Sequence, residues 1–331
     1  MQTQVNRKSR NISGTSRKAM MPAANPEIRA KPRRFSWQYW GRLAIFTMIL
    51  SSGAALFLLV YFIHLQVNAF VTPHRNTNIG SPAHINPAYE DIRLTTRDGL
   101  QISGWYLPGT RPSGLVLVHG VDANRAGVLL HATILARAGY HLALIDLRGH
   151  GYSQEAPNTY GYREALDVSA AVDYLLARPN VDRVGALGTS FGGAVVARAA
   201  AIDPRLSVIV IESSYSSLPD AVEDAFDDRS MFPRWPFAPL LITLAERRVG
   251  VTISQIDSAR DLAAIHPRPI LIIHGAADQL FPVRHAYKMY QAAQEPKELW
   301  IIEGLGHANP IPGREVEYET RVVGFLNRVL P

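Results

Sequence analysis

An α/β fold, a doubly wound and mostly parallel sheet with helices on both faces, is what this 331-residue sequence predicts. Short β-rich runs alternate with helical stretches from about residue 89 onward, the pattern of repeated strand-helix units. Several runs, such as Leu115-Val116-Leu117-Val118 and Ile270-Leu271-Ile272-Ile273, are continuously apolar, as strands buried on both faces must be. A Gly-x-Ser-x-Gly turn, Gly188-Thr189-Ser190-Phe191-Gly192, stands between one such run and an alanine-rich helical stretch. Two additions complete the expected architecture: a small helical cap inserted in the domain and one transmembrane helix ahead of it.

The chain opens with a basic tail. Residues 1–42 hold ten Lys and Arg against one acid, Glu27, whereas the remainder carries 24 basic and 27 acidic side chains. The net charge of +6 therefore belongs to the tail, and it gives no support to a nucleic-acid-binding face on the folded part. The first 36 residues lack hydrophobic periodicity and are expected to be disordered. Residues 43–63, LAIFTMILSSGAALFLLVYFI, run 21 positions without a charge. As a helix they span about 30 Å, the thickness of a hydrocarbon core. Trp37, Tyr39 and Trp40 precede the run and Tyr61 lies near its end, where interfacial aromatics belong. Positive charge on the N-terminal side predicts a single-pass membrane anchor, with the tail cytoplasmic and the folded domain extracytoplasmic. Val67 and Ala69 offer an alternative, a site for signal-peptide cleavage. The long basic region and long apolar run favour an uncleaved anchor. Residues 64–88, polar and containing Pro73, Pro82 and Pro87, read as an extended linker that frees the domain from the bilayer.

The domain itself is expected over 89–331. Runs 91–95 and 101–107, separated by Arg97-Asp98-Gly99, predict a leading hairpin. Strands follow at 114–118, 141–146, 183–187, 207–212, 269–274 and 299–302. Helices are expected at 125–138, 163–177, 191–201, 283–293 and 316–329. Residues 213–268 are too long for one crossover. With Phe232, Trp235, Phe237 and three prolines they read as a cap over a substrate pocket, or alternatively as a long crossover with no substrate role.

The chemistry centres on Ser190. Strand, sharp turn and helix are the context that exposes a nucleophilic serine at a helix N-terminus. A serine needs a base for its proton and an acid to orient that base, and on such sheets they follow in the order Ser, Asp or Glu, His. Asp278 follows a strand in His274-Gly275-Ala276-Ala277-Asp278, and His307 follows another in Gly304-Leu305-Gly306-His307. Glu212, also at a strand end, is the rival acid. His119 and His274 end strands and read as near-core histidines, while His285 reads as a surface residue at a helix start. Phe191 and Val121 are the expected backbone donors to an oxyanion, the latter from the loop His119-Gly120-Val121. Asp146-Leu147-Arg148-Gly149-His150-Gly151 reads as a structural turn. There is no Walker lysine, no dinucleotide fingerprint and no spaced metal-ligand set, so no cofactor or metal is expected. The absence of cysteine excludes disulfides and thiolate catalysis.

With HGVDANR, DLRGHG, GTSFGG, HGAAD and GLGH in that order, residues 89–331 resemble the α/β-hydrolase superfamily. Within it the chain is similar to the serine aminopeptidase-like and monoacylglycerol-lipase-like branch, which includes membrane-anchored bacterial members. The resemblance implies Ser190 as nucleophile, Asp278 as acid, His307 as general base, and the Val121 and Phe191 amides as the oxyanion hole. Serine at the turn argues against the branches that place aspartate there. The expected activity is cleavage of a carboxylic ester or thioester of a small-molecule or lipid substrate, with peptide or amide cleavage and acyl transfer as alternatives. An alternative of a different class is a non-catalytic anchored binding protein that keeps the fold.

Overall fold

The structure, a computed structural model, describes residues 36–230 and 232–330. All but the last seven residues of the basic tail, and so the expected disorder, lie outside the described residues. The chain divides into two compact units, 1–56 and 57–331, with the boundary inside the first helix.

That helix, α1, spans Trp37–Val71. In the first unit its apolar side chains, among them Ile45, Phe46, Ile49 and Leu50, are exposed with no partner face, an arrangement that suits a hydrocarbon solvent. In the second unit α1 continues past Ile63, where a linker was expected. The reason is an apolar stripe at helical spacing: Ile63, Val67 and Val71 pack with Ala245, Leu241 and Leu244. Polar His64 and Asn68 occupy the other side and bond each other. The chain that follows is no free tether either. His74 N–H donates to Asp122, the Arg75 guanidinium donates to the carbonyls of Gly151 and Ser153, and Asn124 donates to those of Asn76 and Asn78.

The sheet contains β1 (Glu90–Thr95), β2 (Gln101–Leu107), β3 (Ser113–Val118), β4 (His141–Ile145), β5 (Arg183–Thr189), β6 (Leu206–Glu212), β7 (Ile270–Gly275) and β8 (Lys297–Ile302). Their order is β1-β2-β4-β3-β5-β6-β7-β8. The leading hairpin is antiparallel to its neighbours and every later pair is parallel. The crossovers are α2 (Leu129–Arg137), α3 (Ala165–Leu176) and α4 (Phe191–Ile202). One core layer packs α3 and α4 on one face, and the other packs α2 and the C-terminal helical segment on the opposite face. From β3 the chain steps outward to β4 and then returns to the far side of β3 with β5. The crevice of a doubly wound sheet opens at such a reversal, beyond the C-terminal strand ends.

Between β6 and β7 lie α5 (Leu218–Arg229), α6 (Arg234–Val249) and α7 (Ser258–Ala263). Ser217 caps α5 by accepting from Asp220 N–H, and Gly250 ends α6 at φ 67°, a left-handed position glycine takes freely. The expected helical insertion is therefore α5 and α6, while α7 returns the chain to the core. The fold closes with α8 (Arg284–Ala292), α9 (Glu315–Tyr318), a π turn, and α10 (Gly324–Val329).

Candidate active site

Parallel register delivers the reactive groups. Val118 of β3 pairs with Gly188 of β5, so the chains leading to Val121 and to Ser190 leave the sheet side by side. Gly275 of β7 pairs with Ile302 of β8, which does the same for Asp278 and His307.

At the turn, Ser190 has φ 54° and ψ −121°, a strained conformation for a residue with a side chain. Its N–H donates to the Glu212 carbonyl at 2.7 Å, which holds the turn against β6. The flanking glycines are required by space. A Cβ on Gly188 would lie 2.1 Å from the Gly192 carbonyl oxygen, and one on Gly192 would lie 2.5 Å from that of Val118. No acidic residue occupies the first turn of α4, so its positive end faces the serine uncompensated.

Three of the sequence-derived residues come together here. His307 Nε2 lies 2.9 Å from Ser190 Oγ, and His307 Nδ1 lies 2.8 Å from Asp278 Oδ2. The other carboxylate oxygen of Asp278 accepts the N–H groups of Leu280 and Phe281 at 2.8 and 2.9 Å. Burial alone would raise the Asp278 carboxyl. The hydrogen bonds from His307 and Phe281 and the nearby imidazoles outweigh it and hold the group below its ordinary value. The Phe281 and His307 rings meet edge to face, with centroids 5.2 Å apart. Glu212, the rival acid, is directed elsewhere: its buried carboxylate accepts from Tyr318 Oη and pairs with His131.

The Gly120–Val121 peptide is set by a buried histidine. His119 Nε2 accepts the Leu147 N–H at 3.1 Å, so Nδ1 carries the proton and donates to the Gly120 carbonyl at 2.7 Å. Burial, aided by the neighbouring His150, pushes His119 down to about 3, so the ring is neutral. In a planar trans peptide the N–H of Val121 points opposite that carbonyl. Gly120 lies against Ser190, within 3.8 Å of Oγ for a Cβ placed there. The loop that carries Val121 thus stands beside Ser190, and Phe191 follows the serine at the start of α4.

The aromatic residues expected in a pocket separate. Phe232 and Phe237 face each other at 4.9 Å and, with Phe62 of α1, line a groove of about 340 Å³, whereas Trp235 is 78% exposed and lies outside it. Pro236, directly after Trp235 within α6, disfavours a helical backbone there, and Trp235 is held at φ −101° and ψ 132°. His285, expected on the surface, is fully buried. Its Nδ1 accepts from Ser216 N–H and lies 2.8 Å from Ser216 Oγ, while Nε2 lies 2.8 Å from Asp224. This second Ser-His-Asp chain is closed to substrate and braces β6, α5 and α8 together.

Sequence reading missed Tyr160. Its ring stacks on Phe70 at 4.4 Å and stands 6.0 Å from Phe191, and its hydroxyl donates to the Phe70 carbonyl. Nothing in the local string Asn158-Thr159-Tyr160-Gly161 signals that role. Among the described residues no three His, Asp or Glu side chains gather as a metal site requires.

The prolyl oligopeptidase family matches residues 128–331, well over half of the sequence and inclusive of Ser190, Asp278 and His307. The chain belongs to that family. As a member it is a serine hydrolase with the α/β-hydrolase fold. It is similar to the protein YfhR of Salmonella typhi, 27% identical over 85% of this chain and 96% of that one. It is also similar to the alpha/beta hydrolase domain-containing protein WAV2 of Arabidopsis thaliana, 26% identical over 76% of this chain and 82% of that one. Among solved structures, the Pyrococcus furiosus esterase Pf2001 superposes with a TM-score of 0.67 at 24% identity, covering 79% of this chain and 100% of that chain. The Exiguobacterium antarcticum esterase EaEST gives a TM-score of 0.53 at 19% identity, covering 72% and 100%. These two solved structures share the fold of this chain at low sequence identity.

Proposed function

We propose that this protein is a membrane-anchored serine esterase or thioesterase working through an acyl-enzyme. The observation that carries the reading is the hydrogen-bonded run from Asp278 through His307 to Ser190, at 2.8 and 2.9 Å. His307 takes the serine proton as Oγ attacks the acyl carbon, and Asp278 stabilises the resulting imidazolium. The tetrahedral oxyanion is received by the Val121 and Phe191 amides, and loss of one such donor costs ~3–4 kcal/mol in the transition state. His307 then protonates the leaving alkoxide or thiolate, and later activates the water that frees the acid. An ester is favoured over a peptide because the aromatic groove between α1 and the cap offers apolar contacts suited to an acyl chain.

The family match favours a second reading, peptide or amide cleavage by the same residues. A fluorophosphonate probe should label the wild type and not Ser190→Ala; equal labelling of both would end the mechanism. Parallel assays on p-nitrophenyl esters and peptide p-nitroanilides separate the two readings, and turnover of the anilides alone would establish the second. The anchor is read with its N-terminus in the cytoplasm and the domain outside. A reporter fused after Pro331 that is active only in the cytoplasm would reverse that topology.

A further inference from the structure

The groove between α1 and the cap has one wall made from the apolar run itself. Phe62 and Ile63 are the last two residues of the apolar run 43–63, and they face Phe226, Phe232, Phe237 and Leu241 across about 340 Å³. Helix α6 runs alongside α1 in the same direction. Phe62 meets Phe232 and, through it, Phe237; further on, Val67 and Val71 meet Ala245. The N-terminal end of α6 is therefore level with the final turn of the apolar run. Trp235, 78% exposed, and Leu240, 40% exposed, present apolar surface at that same level. Tryptophan is the side chain that settles at a membrane interface.

About 13 Å further along the helix, nine residues on from Ile63, the lining changes character. Thr72, Pro73, Arg75, Glu155 and Arg248 wall a second cleft, in which Arg75 is paired with Glu155 at 3.1 Å and Arg248 is exposed. An apolar groove followed by the exposed Arg248 matches the order of acyl chain and phosphate in a phospholipid. Inward, Phe226 joins an apolar cluster that includes Tyr160 and Phe281. Those two rings stand against Phe191 and His307, beside the serine.

From these observations we propose that the groove binds the acyl chain of a bilayer phospholipid, admitted sideways from the leaflet, and that lipid acyl esters are the substrate class. The lipid-binding claim rests on the anchor in the reading above; only the substrate claim rests on its chemistry.

The test uses the full chain carrying Ser190→Ala in phosphatidylglycerol nanodiscs, with a phosphatidylglycerol probe bearing a diazirine on its acyl chain. Irradiation should place adducts on residues 226–241. Filling the groove with Leu241→Trp or Phe237→Trp should reduce them about tenfold, since each methylene denied burial weakens binding severalfold. Adducts absent from 226–241 would overturn the proposal. So would adducts undiminished in both variants when each keeps its unfolding midpoint. Adducts seen in single-chain discs but lost in two-chain discs would assign the groove to a second copy and also overturn it. Ser190→Ala cannot turn lipid over, so the crosslinks read occupancy alone. Failure of the wild type to take a fluorophosphonate would defeat the hydrolase reading and leave the lipid adducts standing.

Discussion

The backbone N–H of His74 donates to Asp122 Oδ1 at 2.7 Å, tying the chain that leaves α1 to the loop that carries Val121. Asp122 accepts this bond from a left-handed backbone, φ 56°, which Asp and Asn tolerate better than Ala. Asp122→Ala should therefore lose both the acceptor and conformational compatibility, ~1–2 kcal/mol in all. Asp122→Asn should stay within about 0.5 kcal/mol of wild type, because its amide oxygen still accepts. Thermal unfolding of the two variants in nanodiscs measures the difference. A fall in kcat for Ala but not Asn would show that the segment following α1 helps to hold the Val121 loop.

His119 is the second support of that loop. Its neutral ring bridges Leu147 N–H and the Gly120 carbonyl, fixing the peptide whose N–H belongs to Val121. Replacing it with Ala leaves the Gly120 carbonyl only the longer bond from Ala123 N–H, at 3.4 Å, so the peptide can tilt and withdraw a donor from the developing oxyanion. Turnover by His119→Ala, on whichever of the two substrate classes the wild type cleaves, should fall ~10²–10³-fold in kcat, the effect of removing one oxyanion donor. KM should change little, since the donor acts mainly in the transition state. A change confined to KM would place His119 in substrate binding instead.

Asp278 holds His307 by one oxygen while its other oxygen is fixed by two backbone N–H groups. Asp278→Asn keeps the shape but removes the charge that stabilises an imidazolium, and its amide can offer the imidazole a donor in place of an acceptor. The expected loss is ~10⁴ in kcat. Fluorophosphonate labelling should slow in proportion, whereas the unfolding midpoint should move by only a few degrees. Labelling at the wild-type rate would remove Asp278 from the mechanism.

Much of this was legible because the sheet writes its strands as apolar runs. Ile270-Leu271-Ile272-Ile273 declares a buried strand, and the glycine-containing loop after it leaves Asp278 as the carboxylate beyond a strand end. Ser190 and His307 were legible for a similar reason, since each follows a strand in a glycine-containing loop. The continuation of α1 was not. Ile63, Val67 and Val71 are interleaved with His64, Gln66 and Asn68, and the surface that makes them a packed helical stripe, around Ala245, lies far away in sequence. His285 was misread because its neighbours Arg284, Tyr287 and Lys288 suggest a surface helix. Its burial depends on Ser216 and Asp224, which satisfy both ring nitrogens from another segment. Trp235 was grouped with Phe232 and Phe237 by proximity in sequence, but proline-directed backbone geometry parted them.

The buried His285 makes stability depend on pH. Burial, reinforced by the charges of Arg284 and Lys288, lowers it to about 4; Asp220 and Asp278 oppose the shift, and Asp224 faces the ring directly. Below the ordinary value of 6.5 the unfolded chain binds a proton there that the folded chain refuses until about pH 4. Unfolding therefore takes up a proton in this window, and stability must fall as pH drops from 6.5 to 4. At roughly 1.4 kcal/mol per pH unit the loss approaches ~3 kcal/mol. His285→Asn removes the titrating group, while Arg284 remains paired with Asp224. The variant should unfold earlier than wild type at pH 7, yet lose less between pH 6.5 and 4. Parallel slopes for the two proteins would locate the proton uptake at another buried histidine, with His119 the first to substitute next.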